Sequence, residues 1–414
     1  MTDTAGNVQL VANPNLDKTK RFSAFDHSVV GIGAPDKVKR FLGHCPAYIP
    51  TPTLELPSLA EKMGLGQIYL KDESQRFGIG SFKALGGIYA VMEVLRQQVE
   101  AKLGAPLDPS CILDSDVLAM AKVKSFVCAS DGNHGRSVAA GAALIGANCI
   151  VFLHENVSSA RACAISKLGA RVERVAGTYE DCVEAAEHAA VRNGWTLVQD
   201  TSEDPKSPIP ALITQGYTTI ISEVLEQLED SGNLPPFTHL FVQAGVGGLA
   251  ASLIGHLHAR YGEKAPTSIV VEPNLASCLL ESCNSGKLVE VPFGGATAFS
   301  MLECMVPSAY AWHILDSSAD FFMGVPDTLA SEAMQVLAFP QKEDPPIVAG
   351  ESGSAGIAGL IGIIRETRLR EQVGLSKNSR VLIINTEGAT DPGLYKKMVG
   401  RSAVEIMGGK TDKK

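Results

Sequence analysis

Short, continuously apolar runs recur along the chain, separated by stretches in which apolar residues return every three or four positions. The runs are Ile68–Leu70, Ser125–Cys128, Cys149–Leu153, His239–Val242, Ser268–Val271 and Val381–Ile384. None alternates polar with apolar. A strand with one wet face would alternate; a strand without alternation is covered on both faces, as in a parallel sheet flanked by helices. The intervening stretches predict amphipathic helices. One begins near Phe82 and runs through AVMEVLRQQVEAKLG, a second covers SSARACAISKLGA, and a third covers EDCVEAAEHAAVRNG. Strand, Gly-rich turn and helix repeat from about residue 50 to residue 400, which predicts an α/β protein. In open sheets of that class, ligands sit beyond the carboxyl ends of the strands. The turns that follow strands are therefore where chemistry is expected.

Three stretches depart from the pattern. Residues 1–20 are polar and predict a loosely ordered segment. Residues 103–124 read as a surface insertion. Residues 201–210 carry Pro205, Pro208 and Pro210, so a rigid loop rather than a helix is expected there.

Composition narrows the class. With 414 residues, 45% of them hydrophobic, the chain has room for two or three domains at ~100–200 residues each. A net charge of −9 argues against nucleic acid and anionic membranes as partners, but not against small anions. The 9 cysteines are odd in number and none is spaced C-x-x-C, so free thiols in a reducing compartment are expected. The N-terminal segment lacks an apolar core and is not a signal peptide. No apolar run approaches the ~18 residues of a membrane span. These features predict a soluble, cytoplasmic protein.

Four turns hold candidate chemistry. In KDESQRFGIGSFKALGG (71–87), Gly78 and Gly80 make a tight turn and Lys83 falls in the first turn of the following helix. An arbitrary lysine is usually a solvated surface group. This one has small and apolar flanks and sits where helix dipoles are positive, which predicts a lowered pKa suited to a Schiff base. In CASDGNHGRSVAAGAAL (128–144), the turn places Asp131, Asn133 and His134 at the mouth of a cleft. Taken alone, Asp131 is more simply a helix cap, and His134 a structural histidine. In FVQAGVGGLAAS (241–252), Gly245, Gly247 and Gly248 open a helix after a strand and make an anion cradle. The turn lacks the lysine of GxxxxGK(S/T) and the full GxGxxG spacing, so a small phosphate suits it better than a nucleotide. Packing alone would also explain such a turn. GESGSAGIAG (350–359) and INTEGATDPGLY (384–395) are turns as well, and Thr386 stands at the carboxyl end of its strand. Together these parts are a Schiff-base lysine, a phosphate cradle, polar groups at strand ends and candidate carboxylate bases. Pyridoxal phosphate (PLP) requires that set.

The order SFK, GNHG and a mid-chain Gly-rich turn resembles the fold-type II PLP enzymes, the tryptophan-synthase β and threonine-dehydratase group. Within it the chain most resembles the diaminopropionate ammonia-lyases, over roughly residues 45–400. The matching segments are KDESQRFG, FKALGG, SDGNHGR, VQDTS, QGYTT, QAGVGG, GESG and TEGATDP. The resemblance implies two open, twisted, mostly parallel sheets in a large and a small domain, with the cofactor in the cleft between them. The large domain would comprise residues 1–91 and 216–414, and the small one residues 92–215. Lys83 would hold PLP. Gly245, Val246, Gly247, Gly248 and Leu249 would bind its phosphate, Asn133 its phenolic oxygen, and Thr386 its pyridine nitrogen. Asp131 replaces the serine that dehydratases commonly carry before GNHG. With Asp200 it would supply the bases for D- and L-substrates respectively. The implied reaction is α,β-elimination of 2,3-diaminopropionate to pyruvate and two ammonia, by a homodimer and with no metal. Three departures bear on the substrate: Gly80-Ser81 where these lyases more often have Asn-Ala, Glu203 in place of an aromatic residue, and Ala389 in place of an acidic one. They leave a dehydratase or deaminase of serine, threonine or another β-substituted amino acid as the alternative. A regulatory, non-catalytic PLP-fold protein is a further alternative, disfavoured by an intact Lys83 and both aspartates.

Overall fold

The six apolar runs each fall within a strand, and the strands assemble into two sheets. The computed structural model describes residues 6–130, 132–230 and 232–408. In chain order the strands are β1 (Gln9–Ala12), β2 (Thr53–Glu55), β3 (Gln67–Asp72), β4 (Ser125–Ala129), β5 (Asn148–His154), β6 (Arg171–Val175), β7 (Thr196–Leu197), β8 (His239–Gln243), β9 (Thr267–Pro273), β10 (Phe321–Val325) and β11 (Arg380–Asn385). The larger sheet has the order β1-β10-β9-β8-β11-β3-β2. Its five inner strands run parallel, and β1 and β2 close the edges antiparallel. The smaller sheet, β6-β5-β4-β7, is parallel throughout. All five residues of β8 are buried, as its lack of alternation predicts.

The strands that the apolar pattern does not announce are peripheral or interrupted. β6 reads RVERV and lies at an edge with partly exposed residues; β7 has two residues. β10 contains Gly324 and stops at Pro326, both turn signals. Residues 6–20 are not loosely ordered. Gln9–Ala12 pairs with β10, and Asn13 Nδ2 donates to the carbonyls of Asp316 (2.9 Å) and Ala319 (2.8 Å). The short, mostly apolar stretch 8–12 packs Val8, Leu10 and Val11 on the cores and pairs at the sheet edge, and its polar surroundings hide it. The expected loop at 201–210 ends early. A helix spans Pro208–Gln227, and Pro208 and Pro210 stand in its first turn, where a missing N–H costs nothing. The 103–124 stretch packs Ile112, Val117 and Ala121 into the main core.

Helix Lys83–Leu103 is the element that positions the site. It touches helix Pro208–Gln227 nearly backbone to backbone: a Cβ on Gly86 would stand 2.5 Å from Tyr217 Cε1 and 2.7 Å from the Ile213 carbonyl oxygen. On its other side it meets helix Asn133–Ile145, where a Cβ on Gly87 would lie 2.0 Å from Ser137 Oγ. The glycines of FKALGG are thus explained by two close helix crossings. KDESQR is explained by a buried charge network. Lys71 Nζ and Arg76 Nη2 both lie 2.7 Å from Glu223 Oε2, and Arg76 Nε lies 2.7 Å from Glu73 Oε2. Two cations and two carboxylates compensate one another out of water. The network ties the segment before Lys83 to helix Pro208–Gln227. None of its four side chains lines the cavity described next.

Candidate active site

Lys83 opens its helix, and the residues before it are stapled to the end of β11. Phe82 N–H donates to the Thr386 carbonyl (3.0 Å), and Gly388 N–H donates to the Gly80 carbonyl (3.1 Å). Gly80 has φ +81°, a conformation glycine adopts without steric cost. Lys83 and Thr386, 303 residues apart, are therefore held as one unit.

Lys83 Nζ is bonded to Asp200 Oδ2, with the lysine side chain 21% exposed and the aspartate 9%. Burial, the largest single influence, pulls the lysine pKa down, but the Asp200 charge, Tyr217, the Asp200 hydrogen bond and Cys304 together push it up by more, so it is raised above its ordinary value. The lowered pKa expected from the flanks and the helix dipole is overturned, because the charge and hydrogen bond of Asp200 act with the neighbouring groups against burial. Asp200 answers in kind. Burial pushes it up, but the Lys83 charge, His134 and its hydrogen bonds together pull it down further, and it stays ionised. His134 completes the group. Its Nε2–H donates to the Val198 carbonyl at 2.7 Å, which leaves the Nδ1 lone pair 3.9 Å from Asp200 Oδ2 with no hydrogen-bond partner. Burial lowers its pKa, so the ring is neutral.

The wall opposite is the end of β8. Gly247, with φ +95°, caps helix Gly248–Tyr261. A Cβ at Gly245 would come within 2.9 Å of Cys304 Sγ and have to displace it, and one at Gly247, within 3.0 Å of Ala311 Cβ, would also be strained by the positive φ. Gln243 sits beneath it. Its Nε2 donates to Thr386 Oγ1 at 2.9 Å, which leaves the threonine hydroxyl proton free to donate elsewhere.

One cavity is lined by Lys83, Asn133, Asp200, the Gly245, Val246, Gly247, Gly248, Leu249 turn, and Thr386. Asp131 lies outside the described residues. Glu387 and Tyr217, not assigned roles from sequence, also line the cavity, while Glu351, whose role the sequence leaves open, lies just outside the lining. Glu387, next to Thr386, lines the cavity and accepts a bond from Asn133 Nδ2. Tyr217 lines it too, with a buried hydroxyl that has no partner. Glu351, of the GESG turn, is bound by Arg161 Nη2 at 3.1 Å. Only adjacency in TEGATDP and GESG hinted at either glutamate. Among the described residues no cluster of His, Cys, Asp and Glu is arranged to hold a metal ion, and no helix is long and apolar enough to cross a membrane.

These parts fit PLP: an amine for its aldehyde, a helix N-terminus with close backbone approach for its phosphate, a hydroxyl donor for its ring nitrogen and an amide for its phenolic oxygen. The comparisons agree. The family model of pyridoxal-phosphate dependent enzymes matches residues 45–387. Diaminopropionate ammonia-lyase of Escherichia coli is 36% identical over 369 residues, spanning 86% of this chain and 89% of that protein. The Salmonella typhimurium protein of that name is 36% identical over 375 residues, spanning 89% and 92%. The crystal structure of the Escherichia coli enzyme in complex with an aminoacrylate-PLP azomethine reaction intermediate matches at TM-score 0.85 and 33% identity, covering 95% of this chain and 97% of that one. Tomato threonine deaminase isoform 2, at TM-score 0.68 and 17% identity, shares the fold alone.

Proposed function

The chain belongs to the pyridoxal-phosphate dependent enzymes, in the diaminopropionate ammonia-lyase family, and from that premise we propose that it eliminates ammonia from 2,3-diaminopropionate. The observation that carries this reading is the Lys83–Asp200 pair on the wall of a cavity that also holds the glycine turn and Thr386.

In this reading Lys83 Nζ would hold the cofactor covalently. PLP, when bound, supplies an electron sink for the pair left at Cα. Gly245, Val246, Gly247, Gly248 and Leu249 bind the phosphate through the helix N-terminus. Asn133 meets the phenolic oxygen. Thr386 Oγ1 already accepts from Gln243, so its proton turns to the pyridine nitrogen. Ionised Asp200 takes a proton from L-substrate at its own face and holds Lys83 Nζ protonated beside the leaving amine. Asp131 is the corresponding base for D-substrate. The Cα–H and Cβ–N bonds break and one ammonia leaves. One water then hydrolyses the remaining enamine to pyruvate and the second ammonia. We further read residues 92–215 as a small domain closing on the large one formed by 1–91 and 216–414, in a homodimeric cytoplasmic enzyme.

The test is release of pyruvate and ammonia from separate D- and L-2,3-diaminopropionate, with D-serine, L-serine and L-threonine in parallel. Two ammonia per pyruvate are expected, and Asp131→Asn and Asp200→Asn should impair opposite enantiomers. Turnover of a hydroxy amino acid alone would sink the reading in favour of a dehydratase. The observation that favours that second reading is Ser81, which is buried in the same cavity wall.

A further inference from the structure

Asn133 and Glu387 come from opposite sides of the cleft. Asn133 opens the helix after β4 of the smaller sheet; Glu387 follows β11 of the larger one. Asn133 Nδ2 donates to Glu387 Oε2. An amide nitrogen carries two hydrogens, so one N–H remains for the cavity. Glu387 is only 1% exposed. Its Oε2 also accepts from Thr390 Oγ1 at 3.3 Å, while its Oε1 is buried without a partner. A buried carboxyl oxygen without a hydrogen bond costs stability, so folding alone does not account for this residue. A second link runs beside the first. Arg161, from helix Ser159–Ser166, donates through Nη2 to Glu351 Oε1 and Ser300 Oγ, each at 3.1 Å. Ser300 Oγ donates to the same Glu351 oxygen at 2.6 Å. Glu351 is thereby engaged by others, and Glu387 is left to hold Asn133.

We propose that Glu387 is a positioning residue: it fixes the Asn133 amide so that its free N–H meets the phenolic oxygen of the cofactor. The inference rests on the assignment of Asn133 as the contact to that oxygen. The groups facing Glu387 set its charge. Burial and the neighbouring Glu351 charge push its carboxyl up to about 8, against the Asn133 bond, the Arg161 charge and the Thr390 bond. Arg136, on the Asn133 helix, also feels its charge. At neutral pH the carboxyl is therefore mostly protonated. It holds the amide as a neutral acceptor and puts no negative charge beside the phenolic oxygen. Ionisation at higher pH would place one there.

The test is the absorbance of the holoenzyme followed from neutral to alkaline pH, together with the dissociation constant for PLP, in Asn133→Ala, Glu387→Met and Glu387→Gln. Glu387→Met keeps the volume and removes the acceptor. It should shift the absorbance profile in the same direction as Asn133→Ala and weaken PLP by about tenfold, the usual cost of losing a group that orients a ligand-binding side chain. Glu387→Gln keeps an acceptor oxygen and should retain the wild-type spectrum and affinity at neutral pH while losing any transition near pH 8. A shift in Asn133→Ala with none in Glu387→Met overturns the inference and leaves the Asn133 assignment standing. No shift in Asn133→Ala removes that assignment and the inference with it. Should Glu387→Met not fold, Glu387→Asp, which withdraws the acceptor by one methylene, carries the same comparison.

Discussion

A lysine and an aspartate 117 residues apart in sequence share one proton economy at the site, and pH exposes it. The raised Lys83 pKa contributes stability below the ordinary lysine value of 10.5 and loses it as pH climbs through the folded value. The depressed Asp200 pKa contributes above the ordinary 3.8 and loses it as pH falls further. Between those limits the pair adds no pH slope to the apoprotein. Asp200→Asn reverses the sign at Lys83. Burial alone then holds the lysine below 10.5, so the unfolded chain binds the proton more readily and stability rises with pH. Denaturant midpoints of the wild-type and Asp200→Asn apoproteins, measured from neutral to alkaline pH, should diverge in that way. Parallel curves would show that the carboxylate does not control Lys83. The same interaction marks where sequence reasoning stopped. Asn133 and Thr386 were legible because each follows a strand at a turn, and Lys83 because it opens a helix after the Gly78-Ile79-Gly80 turn with small, apolar flanks. The charge of Lys83 was misjudged because its local flanks say nothing of Asp200. Glu387 was passed over because its partner, Asn133, lies 254 positions away.

At the scale of elements, the buried parallel strands were readable and the edges were not. β8 and β11 are buried on both faces and announce themselves as apolar runs; β1, β2 and β6 are short edge strands with only one to three apolar residues each packed on the cores, too few to stand out. The glycines of FKALGG carried a signal whose cause only the packing reveals. Gly86 lies where two helices cross, with no room for a methyl group. Gly86→Ala must push helix Lys83–Leu103 away from Tyr217 and the Ile213 carbonyl, at a cost of about 1–3 kcal/mol. Because Lys83 begins that helix, PLP affinity should fall as well. Thermal unfolding and PLP titration of this variant check both, and an unchanged affinity at reduced stability would show that the crossing does not set the Lys83 position.

At the scale of the whole molecule, the links beside the cavity between described elements of the smaller sheet and those of the larger one include, besides Lys83–Asp200, two others: Asn133 to Glu387, and Arg161 to Glu351 with Ser300. Arg161→Ala removes the second and leaves the Glu351 carboxylate buried without its cation. Hydrogen exchange should rise in helix Ser159–Ser166 while β8 keeps its protection, because local opening follows the loss of local contacts. Equal exchange in both proteins would show that the link does not hold the two sides together.

The order of the chain adds a consequence for how such a cavity comes into being. During synthesis Lys83 emerges early, Asp200 and the glycine turn emerge midway, and Thr386 and Glu387 come after β11, the final strand. β11 lies in the middle of its sheet, between β8 and β3, so those two strands lack their shared neighbour until nearly the whole chain is made. β1 likewise waits about 310 residues for β10, and such distant pairing is slow because loop closure precedes its reward. A nascent chain truncated before β11 would carry Lys83 without the Thr386 turn to which the start of its helix is stapled. Cofactor capture is then a late event, and a bound chromophore certifies that the last strand has been threaded home.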